Sequence, residues 1–418
     1  MSAHSPLSTV HSPLIPPGYK QTEVGVIPEE WDVSPFSGLF NITAGGDIDP
    51  KRSQSFQDSA HPHPIYSNAL TNSGLYGYCS YADHPANSIT ITARGMVGGA
   101  NYRDHPYTAI GRVLVLQPKS EMAGFYFAEV INNRVKFANE STGVPQLTAP
   151  QISKYRLPVP PPPEQRAIAT ALSDVDALLA GLDRLLAKKC DLKQAAMQQL
   201  LTGQTRLPGF KGKWAERLLS NIAMPLKGQG IRKDEVIPEG LPCVRYGEIY
   251  THHTDYIRCF NSFISAETAK SSQLLRKGDL LFAGSGETAD EIGKSVAFLG
   301  DEEAYAGGDI IIFRPQGQNS MFLGYLLNQP VVARQKAQMG QGEVIVHIGS
   351  RSLGRLRLSL PPLPEQTAIA EVLTEMDAEL AALEQRREKT RALKQAMMQE
   401  LLTGKTRLIS RGVAEMKP

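Results

Sequence analysis

The sequence predicts an α/β (α+β) protein in which two globular domains are separated by two long helices that form a coiled-coil spacer. Three observations favour this fold class: a long repeat without gaps, helix signals at both ends of each copy, and short alternating apolar stretches outside the copies. The predicted segments are a tail (1–17), a first domain (18–157), a first spacer helix (158–207), a second domain (208–358), a second spacer helix (359–408) and a tail (409–418).

The repeat shows that part of the chain is duplicated. Residues 163–207 align with residues 364–408 at a constant offset of 201, and 26 of these 45 positions are identical, which is too many for chance. Each copy opens with Pro-Glu, and both residue types favour the first turn of a helix. Each copy closes with "LLTG", whose glycine suits the left-handed residue that commonly ends a helix. At a rise of ~1.5 Å per residue, about 40 residues make each helix roughly 60 Å long.

Apolar residues in both copies follow the 3.5-residue spacing of a coiled-coil seam. The predicted packing positions are Ile168, Leu172, Val175, Leu179 and Leu182 in the first copy and Ile369, Leu373, Met376, Leu380 and Leu383 in the second. Beyond them the apolar pattern shifts, and the sequence predicts a new stripe that begins at Leu192 and Leu393. A single such helix would be an ordinary core helix, but two equal copies favour a mutual pair.

The two predicted domains also start alike and then diverge. Each contains one of the two tryptophans, Trp31 and Trp214, near its beginning. Stretches such as "SITITARG" (88–95) and "IGRVLVLQP" (110–118) alternate like strands in the first domain, and "KGDLLFAGSG" (277–286) and "GGDIIIFRP" (307–315) do so in the second. A duplicated scaffold with divergent domains suits a protein that reads two different things at a fixed separation, whereas an enzyme gains little from it.

The amino-acid composition argues against a membrane protein and against a disulfide-rich secreted protein. The 418 residues include 41% hydrophobic residues, and no stretch approaches the ~20 apolar residues of a membrane helix. The first residues lack the pattern of a secretory signal, and the four cysteines lie far apart, so we expect a cytoplasmic protein with no disulfide framework. A net charge of +2 means that any nucleic-acid surface is a local patch.

Motifs that resemble cofactor sites fail on spacing. In "FAGSGETADEIGKS" (282–295) Thr288 stands where a phosphate-binding loop needs its first glycine. A methyltransferase would also need a catalytic "NPPF"-like turn, and the sequence contains none. The histidines at 61, 63, 84, 105, 252 and 253 lack the ligand spacing of a metal site. No nucleophile elbow is present. We therefore expect no catalytic residue, no bound cofactor and no metal in this chain.

Loops that carry Arg, Lys, Asn, Gln and Tyr are the candidate readers of nucleic acid, because these side chains make bidentate and stacking contacts in the major groove. The candidates are Lys51, Arg52, Asn68, Arg94, Asn101, Tyr102 and Arg103 in the first domain and Arg232, Lys233, Arg245, Tyr246, Glu248, Ser285, Glu287, Thr288, Lys294, Gln341 and Arg351 in the second. Any one of them is equally compatible with a solvated loop residue, so the prediction concerns the set.

The chain resembles the specificity (S) subunits of type I restriction-modification systems. The resemblance rests on "GYKQTEVGVIPEEW" (18–31), on "PPPEQRAIA" and "PPLPEQTAIA" before the helices, and on "KQAAMQQLLTG" and "KQAMMQELLTG" at their ends. It also rests on "VRYGEIY" (244–250), "KGDLLFAGSGET" (277–288) and "GKSVAF" (293–298) in the second domain. The resemblance extends over almost the whole chain after the first tail.

The resemblance implies a function. In that family each variable domain binds one half of a bipartite target in double-stranded DNA, and the helices pair antiparallel with pseudo-twofold symmetry and dock two modification (M) subunits. S-adenosylmethionine, Mg and ATP are expected only on partner subunits: the M subunits methylate adenine N6, and restriction (R) subunits translocate and cut DNA. By resemblance this chain is the non-catalytic reader, located in a bacterial or archaeal cytoplasm with no membrane partner.

Two alternatives stay open from the residues alone. The chain could be a stand-alone S-adenosylmethionine-dependent DNA methyltransferase, which would bind that cofactor by itself. It could also be a coiled-coil scaffold without a DNA role, which would show no sequence preference.

Overall fold

The computed structural model describes residues 15–138, 143–288, 291–342 and 345–409, so almost all of the two predicted tails lies outside the described residues. The chain forms two compact units. Unit 1 comprises Met1–Leu182 with Arg386–Pro418, and unit 2 comprises Asp183–Gln385. Both boundaries fall inside the long helices, and each unit therefore contains one globular domain, the start of one long helix and the end of the other. Within the described ranges, no helix is long and apolar enough to cross a membrane.

The described part of unit 1 contains two four-stranded sheets, two two-stranded sheets and one longer packed helix, Gly124–Arg134. Its strands are Tyr19–Thr22, Gly25–Pro28, Asp32–Pro35, Phe40–Ala44, Ser53–Gln54, His63–Tyr66, Leu75–Cys79, Ser88–Ile91, Ala100–Arg103, Thr108–Ala109, Leu114–Pro118 and Arg156–Val159. Its short helices are Phe36–Leu39, Gly124–Arg134 and Ala149–Ile152, with 3₁₀ turns at Pro50–Arg52 and Thr71–Gly74. The two stretches that alternate in the sequence form the neighbouring antiparallel strands Ser88–Ile91 and Leu114–Pro118, as predicted.

Unit 2 repeats this plan. Its strands are Ala215–Leu218, Ala223–Lys227, Val236–Ile237, Leu241–Val244, Ser262–Ile264, Gln273–Leu274, Leu280–Ala283, Ser285–Gly286, Ser295–Ala297, Tyr305–Ala306, Ile310–Pro315, Val346–His347 and Arg357–Leu360. Its short helices are Leu219–Ile222, Tyr246–Thr251, Ala266–Lys270, Ser320–Leu327, Pro330–Met339 and Ser350–Leu353, with a 3₁₀ turn at Lys233–Glu235. In both units the main antiparallel sheet has four strands in the same connection order.

The long helices run Pro162–Leu200 and Leu363–Leu401, 39 residues each. Each starts at the Pro-Glu-Gln motif found in the sequence, and its glutamate does more than favour the helix start. In unit 1 the buried Glu164 carboxylate accepts from the Arg407 guanidinium (2.8 Å) and from the Trp31 indole N–H (2.9 Å). In unit 2 the buried Glu365 carboxylate accepts from Arg206 at 2.6 Å.

These ion pairs join the two copies of the repeat. Arg206 follows the end of the first long helix, and Glu365 lies at the start of the second; Arg407 and Glu164 have the converse arrangement. Within each unit, the end of one long helix therefore meets the start of the other. The glutamine of the motif completes the joint, since Gln165 accepts from the Ala123 N–H (3.2 Å) in the same way that Gln366 accepts from the Asn319 N–H (3.0 Å).

The helix ends share a hydrophobic core with the globular domain of their unit. In unit 1 Ile168, Leu172 and Leu401 lie in one cluster with Trp31 and Phe127. In unit 2 Ile369, Leu373 and Leu200 lie in one cluster with Phe282 and Phe322. Each globular domain is therefore packed directly onto its helix ends.

The predicted seam positions face inward to different extents. Ile168, Leu172, Leu182, Ile369 and Leu373 are buried, and Val175, Leu179, Met376, Leu380 and Leu383 are partly buried. The predicted second stripe is wrong at its first residues, because Leu192 is 47% exposed and Leu393 is 55% exposed.

Lysines take the inward positions beside those leucines. In unit 1 the Lys394 ammonium lies 2.8 Å from the Asp176 carboxylate of the other long helix, and in unit 2 Lys193 lies 2.8 Å from Asp377. The offset of 201 relates Asp176 to Asp377 and Lys193 to Lys394, so the duplication also repeats this ion pair. The inward-facing positions therefore keep the same spacing along each helix. Lys193 and Lys394, each paired with an aspartate, take the inward position that the sequence pattern gave to the neighbouring Leu192 and Leu393.

Candidate nucleic-acid interface

Two adjoining clefts in unit 2 are lined by residues of several loops that the sequence singled out in the second domain. The first cleft, of about 570 Å³, is lined by residues of 230–233, 245–252 and 307–309. The second cleft, of about 530 Å³, is lined by residues of 225–227, 284–285, 308–311 and 347–350. Gly308 and Asp309 belong to both, so the two clefts form one continuous groove in the surface of this unit.

Parallel strands explain why separate loops meet at the first cleft. Leu241–Val244 pairs in parallel with Tyr305–Ala306, and the carboxyl ends of parallel strands lie at the same edge of a sheet. The residues that follow these strands, Arg245 and Tyr246 on one side and Gly307 onwards on the other, are thereby brought together. Tyr246 is 42% exposed, which leaves its ring available for stacking.

Glu248 stabilises this edge and does not face solvent. Its buried carboxylate accepts from the Arg245 N–H at 3.1 Å and from the Ser262 hydroxyl. Glu248 therefore holds the loop that presents Arg245, and its own DNA contact stays a prediction. The Arg245 side chain is partly exposed, and its buried Nε has no acceptor among the described residues.

A left-handed pair of residues shapes the other wall of the first cleft. Gly230 has φ +63°, and the next residue, the buried Ile231, has φ +60°. A β-branched residue in this region costs of order 1–3 kcal/mol, so the surrounding fold must impose the conformation. The exposed side chains of Arg232 and Lys233 follow immediately, and Lys233 lines the cleft.

The second cleft is bounded by a small two-stranded ribbon. Ser285–Gly286 pairs with Val346–His347, and the Ser285 hydroxyl lies 2.9 Å from the His347 Nδ1. Glu287, Thr288, Gln341 and Arg351 are exposed near this ribbon in sequence. Lys294 points inward, donating to the Tyr250 carbonyl at 3.2 Å, and burial lowers the pKa of its ammonium.

In unit 1 the candidate residues divide into exposed and internal ones. Lys51 and Arg52 are exposed on the turn Pro50–Arg52, and the Arg52 guanidinium lies 4.4 Å from the centre of the Tyr81 ring. Arg94 is also exposed. Asn101 and Tyr102 are partly buried in the strand Ala100–Arg103, where the Tyr102 ring packs against Phe125 with centroids 6.2 Å apart.

Arg103 and Asn68 lie inside the fold of unit 1. The buried Arg103 guanidinium donates to the Thr90 hydroxyl (3.0 Å) and to the Ser73 carbonyl (2.7 Å) and stacks on the Tyr66 ring at 3.4 Å. Asn68 accepts from the Ala93 N–H at 2.7 Å and donates to the Gly111 carbonyl. These contacts hold both side chains within the protein and stabilise the loops around them, and the DNA contacts of both residues stay predictions.

Comparison with protein families decides where the chain belongs. The family model described as "Type I restriction modification DNA specificity domain" matches residues 28–187 and again residues 221–392. The chain belongs to the type I restriction-modification specificity family. The resemblance noted in the sequence is thereby confirmed, and the two matches show that this specificity protein carries two copies of the family domain.

Individual relatives agree with this family. The chain is 25% identical to the type I restriction enzyme MjaVIII specificity subunit of Methanocaldococcus jannaschii over 68% of this chain and 70% of that subunit. It is 22% identical to the putative MjaX specificity subunit of the same organism, over 93% and 97% of the two chains. Among solved structures, the S subunit from M. genitalium has a similar fold, with a TM-score of 0.61, 14% identity and coverage of 89% and 96%.

The structure adds groove residues that the sequence reasoning missed in this specificity protein. Lys227, His252 and Asp309 line the clefts but were not among the candidates. A signal for Asp309 existed in the sequence, since "GGD" precedes a strongly apolar strand and glycines often bring backbones close together. Lys227 and His252 lie in stretches that look like ordinary strand and helix ends, so their position depends on the tertiary fold.

Proposed function

We propose that this specificity protein is the non-catalytic, sequence-reading component of a type I restriction-modification complex, with each globular domain binding one half of a bipartite DNA target. The observation that supports this most is the pairing of two family domains on a duplicated scaffold with different surface loops. A duplicated scaffold would repeat the same mode of attachment to DNA, while different loops would allow the two halves of the target to differ.

The groove of unit 2 has the chemistry of a DNA-reading surface. Lys227, Lys233 and Arg245 provide cations for backbone phosphates, and Tyr246 provides an exposed ring. In unit 1 we propose the exposed Lys51, Arg52 and Arg94 for the same role as phosphate-binding cations. The segments around these residues are proposed to contribute to DNA binding as a set, without a role for each side chain. Their members are Asn101, Tyr102, Arg232, Ser285, Glu287, Thr288, Lys294, Gln341 and Arg351.

The long helices are proposed to act as the coiled-coil spacer and as the docking sites for two modification subunits. Support comes from the repeated joints, Glu164 with Arg407 and Glu365 with Arg206, which present two equivalent sites for one kind of partner. Bound modification subunits would methylate adenine N6 at the target, and restriction subunits would add cleavage.

Methylation mapping tests the proposal directly. In cells that carry the matching modification subunit, N6-methyladenine is mapped across the genome with and without this chain. We expect methylation at one bipartite motif that disappears when the chain is deleted. Methylation that persists at the same motif without the chain would contradict the proposal, and so would binding of S-adenosylmethionine to the purified chain in calorimetry.

Exchange of one domain tests modular reading. Replacing residues 208–358 by the corresponding domain of a relative is expected to change one half of the methylated motif and to leave the other half unchanged. The matched control exchanges residues 18–157 and should change the opposite half. A change in both halves after either exchange would contradict the assignment of one half-site to each domain.

An insertion tests the spacer. Four extra helical residues in one long helix add ~6 Å, which corresponds to about 2 base pairs at ~3.4 Å per pair. The expected result is a motif with the same two halves and a longer gap between them. An unchanged gap in a variant that still methylates would show that the helices do not set the spacing.

A further inference from the structure

Asp309 occupies the point where the two clefts of unit 2 meet. Its side chain is exposed, and its backbone is fixed because its carbonyl accepts from the Gly284 N–H at 3.0 Å. The preceding Gly308 N–H donates to the Gly230 carbonyl at 3.1 Å. The side chain therefore projects from a well-anchored turn at the centre of the groove.

Asp309 is an exposed carboxylate among cations, since the other carboxylate that lines the clefts, Glu248, is buried and accepts from Arg245 and Ser262. Lys227, Lys233 and Arg245 line the same two clefts, yet none of the described residues donates a hydrogen bond to the Asp309 carboxylate. A carboxylate in this position opposes a phosphate at the centre of the groove, whereas the lysines and the arginine attract phosphates to it. The carboxylate at the centre of the groove is thus suited to the edges of bases, and the cations around it are suited to backbone phosphates.

Glycines form the floor beside Asp309. Gly228 packs so closely on the turn that a Cβ atom there would lie 1.9 Å from the Gly307 carbonyl oxygen. Gly230, Gly307 and Gly308 also line the first cleft. With no side chains on this floor, the edge of a base can approach the backbone and the Asp309 carboxylate.

We propose that Asp309 is a specificity-determining residue that accepts a hydrogen bond from an exocyclic amino group, adenine N6 or cytosine N4, in the half-site bound by unit 2. This inference rests on the proposed DNA-reading function. An ionised carboxylate only accepts, so in the major groove it favours the amino groups of adenine and cytosine. It disfavours the O6 of guanine and the O4 of thymine, which are acceptors.

The test compares variants of the full chain assembled with its modification subunits. The complexes select duplexes from a library randomised around the wild-type motif, and sequencing gives the preference at every position. Asp309→Ala is expected to lose roughly 5- to 150-fold discrimination at one base pair of one half-site, the range expected for a single mismatched pair. Asp309→Asn keeps the shape but adds a donor, and it should newly accept guanine or thymine at that position.

Two controls separate base reading from phosphate binding and from general damage. Glu239→Ala removes an exposed carboxylate of the same unit outside both clefts and should leave every preference unchanged. Lys233→Ala should weaken binding to all sequences and reduce the salt dependence by about one phosphate contact. If the affected wild-type base is adenine, the amino group is N6; if it is cytosine, the amino group is N4.

The outcomes also separate this inference from the proposed function. A wild-type complex that selects no bipartite motif would overturn both. A wild-type complex that selects a motif, together with Asp309 variants that prefer the same base at every position, would overturn the role of Asp309 alone. A uniform loss of affinity in Asp309→Ala without a change at one base pair would also overturn it.

Discussion

Removing the Asp377 carboxylate should destabilise unit 2 strongly. The side chain of Asp377 is 5% exposed and lies among three donors: Lys193 Nζ at 2.8 Å, the Arg258 guanidinium at 2.7 Å and the Tyr325 hydroxyl at 2.6 Å. Burial, followed by the hydrogen bond to Asp377, raises the pKa of the Tyr325 hydroxyl. Tyr325 therefore stays protonated and remains a donor to the carboxylate at any physiological pH.

The magnitude follows from what Asp377→Ala leaves behind. Arg258 is partly exposed and can bind water, and Lys193 still lies 3.9 Å from the Asp255 carboxylate, but the buried Tyr325 would lose its acceptor and Lys193 would lose its close partner. Breaking a buried ion pair by removing one partner costs about 3–5 kcal/mol. For a unit of this size, each kcal/mol lowers the midpoint of thermal unfolding by about 2–4 °C, so the expected shift is roughly 6–20 °C.

The duplication supplies a matched control. Asp176 is the equivalent residue in unit 1, but its side chain is 40% exposed and pairs with Lys394 alone. Lys394 also lies 3.8 Å from Glu129, much as Lys193 lies 3.9 Å from Asp255, so the two sites differ in the burial of the aspartate and in the additional donors Arg258 and Tyr325. Asp176→Ala should therefore cost no more than about 1 kcal/mol, as exposed ion pairs do.

The assay measures urea unfolding of both variants and uses hydrogen exchange to locate the effect. Asp377→Ala should increase exchange in peptides of the helix Ser320–Leu327, and Asp176→Ala should leave those peptides unchanged. Equal losses of unfolding free energy in the two variants, or a loss below about 1 kcal/mol for Asp377→Ala, would refute the reasoning.

Three further predictions concern buried groups. Arg206→Ala should cost about 3–5 kcal/mol of unfolding free energy, because Glu365 is fully buried and loses its guanidinium partner; a loss below 1 kcal/mol in urea unfolding would contradict this. Burial lowers the pKa of the Lys336 ammonium to about 7. The unfolded chain therefore binds this proton more tightly, and stability should rise with pH between about 7 and 10.4 by up to ~1.4 kcal/mol per pH unit. Lys336→Met should remove that slope, and an unchanged slope would exclude Lys336 as its source. Gly404→Ala should cost at least about 1 kcal/mol in thermal unfolding, because Gly404 has φ +70° and a Cβ would lie 2.5 Å from the Pro28 ring; no loss would contradict the clash.

The helix ends could be predicted because their signals are local. The Pro-Glu-Gln start acts through backbone geometry within one turn, and the glycine end acts through one φ angle. The second stripe at Leu192 and Leu393 was mispredicted because apolar spacing does not show that a lysine can be the inward residue. That outcome depends on Asp377 and Asp176, which lie 184 and 218 positions away from Lys193 and Lys394 in the chain.

The candidate interface was predictable as a set of loops but not residue by residue. Arg103 and Glu248 have the side chains of DNA contacts, yet each satisfies internal partners that become neighbours only in the folded domain. Asp309 was missed for the converse reason. Its carboxylate is informative only once Lys227, Lys233 and Arg245 are known to surround the same groove.

The two joints of this protein show how a duplicated scaffold can carry divergent domains. The glutamate, glutamine and arginine of each joint are the same in both copies and bond in the same way, so the attachment of domain to helix does not depend on the loops. About three helical turns further along, the copies differ: Tyr325 bonds to Asp377 in unit 2, whereas the equivalent Asp176 of unit 1 is more exposed and pairs with Lys394. The loops of the two units can therefore differ while the joint keeps each domain packed on its helix ends.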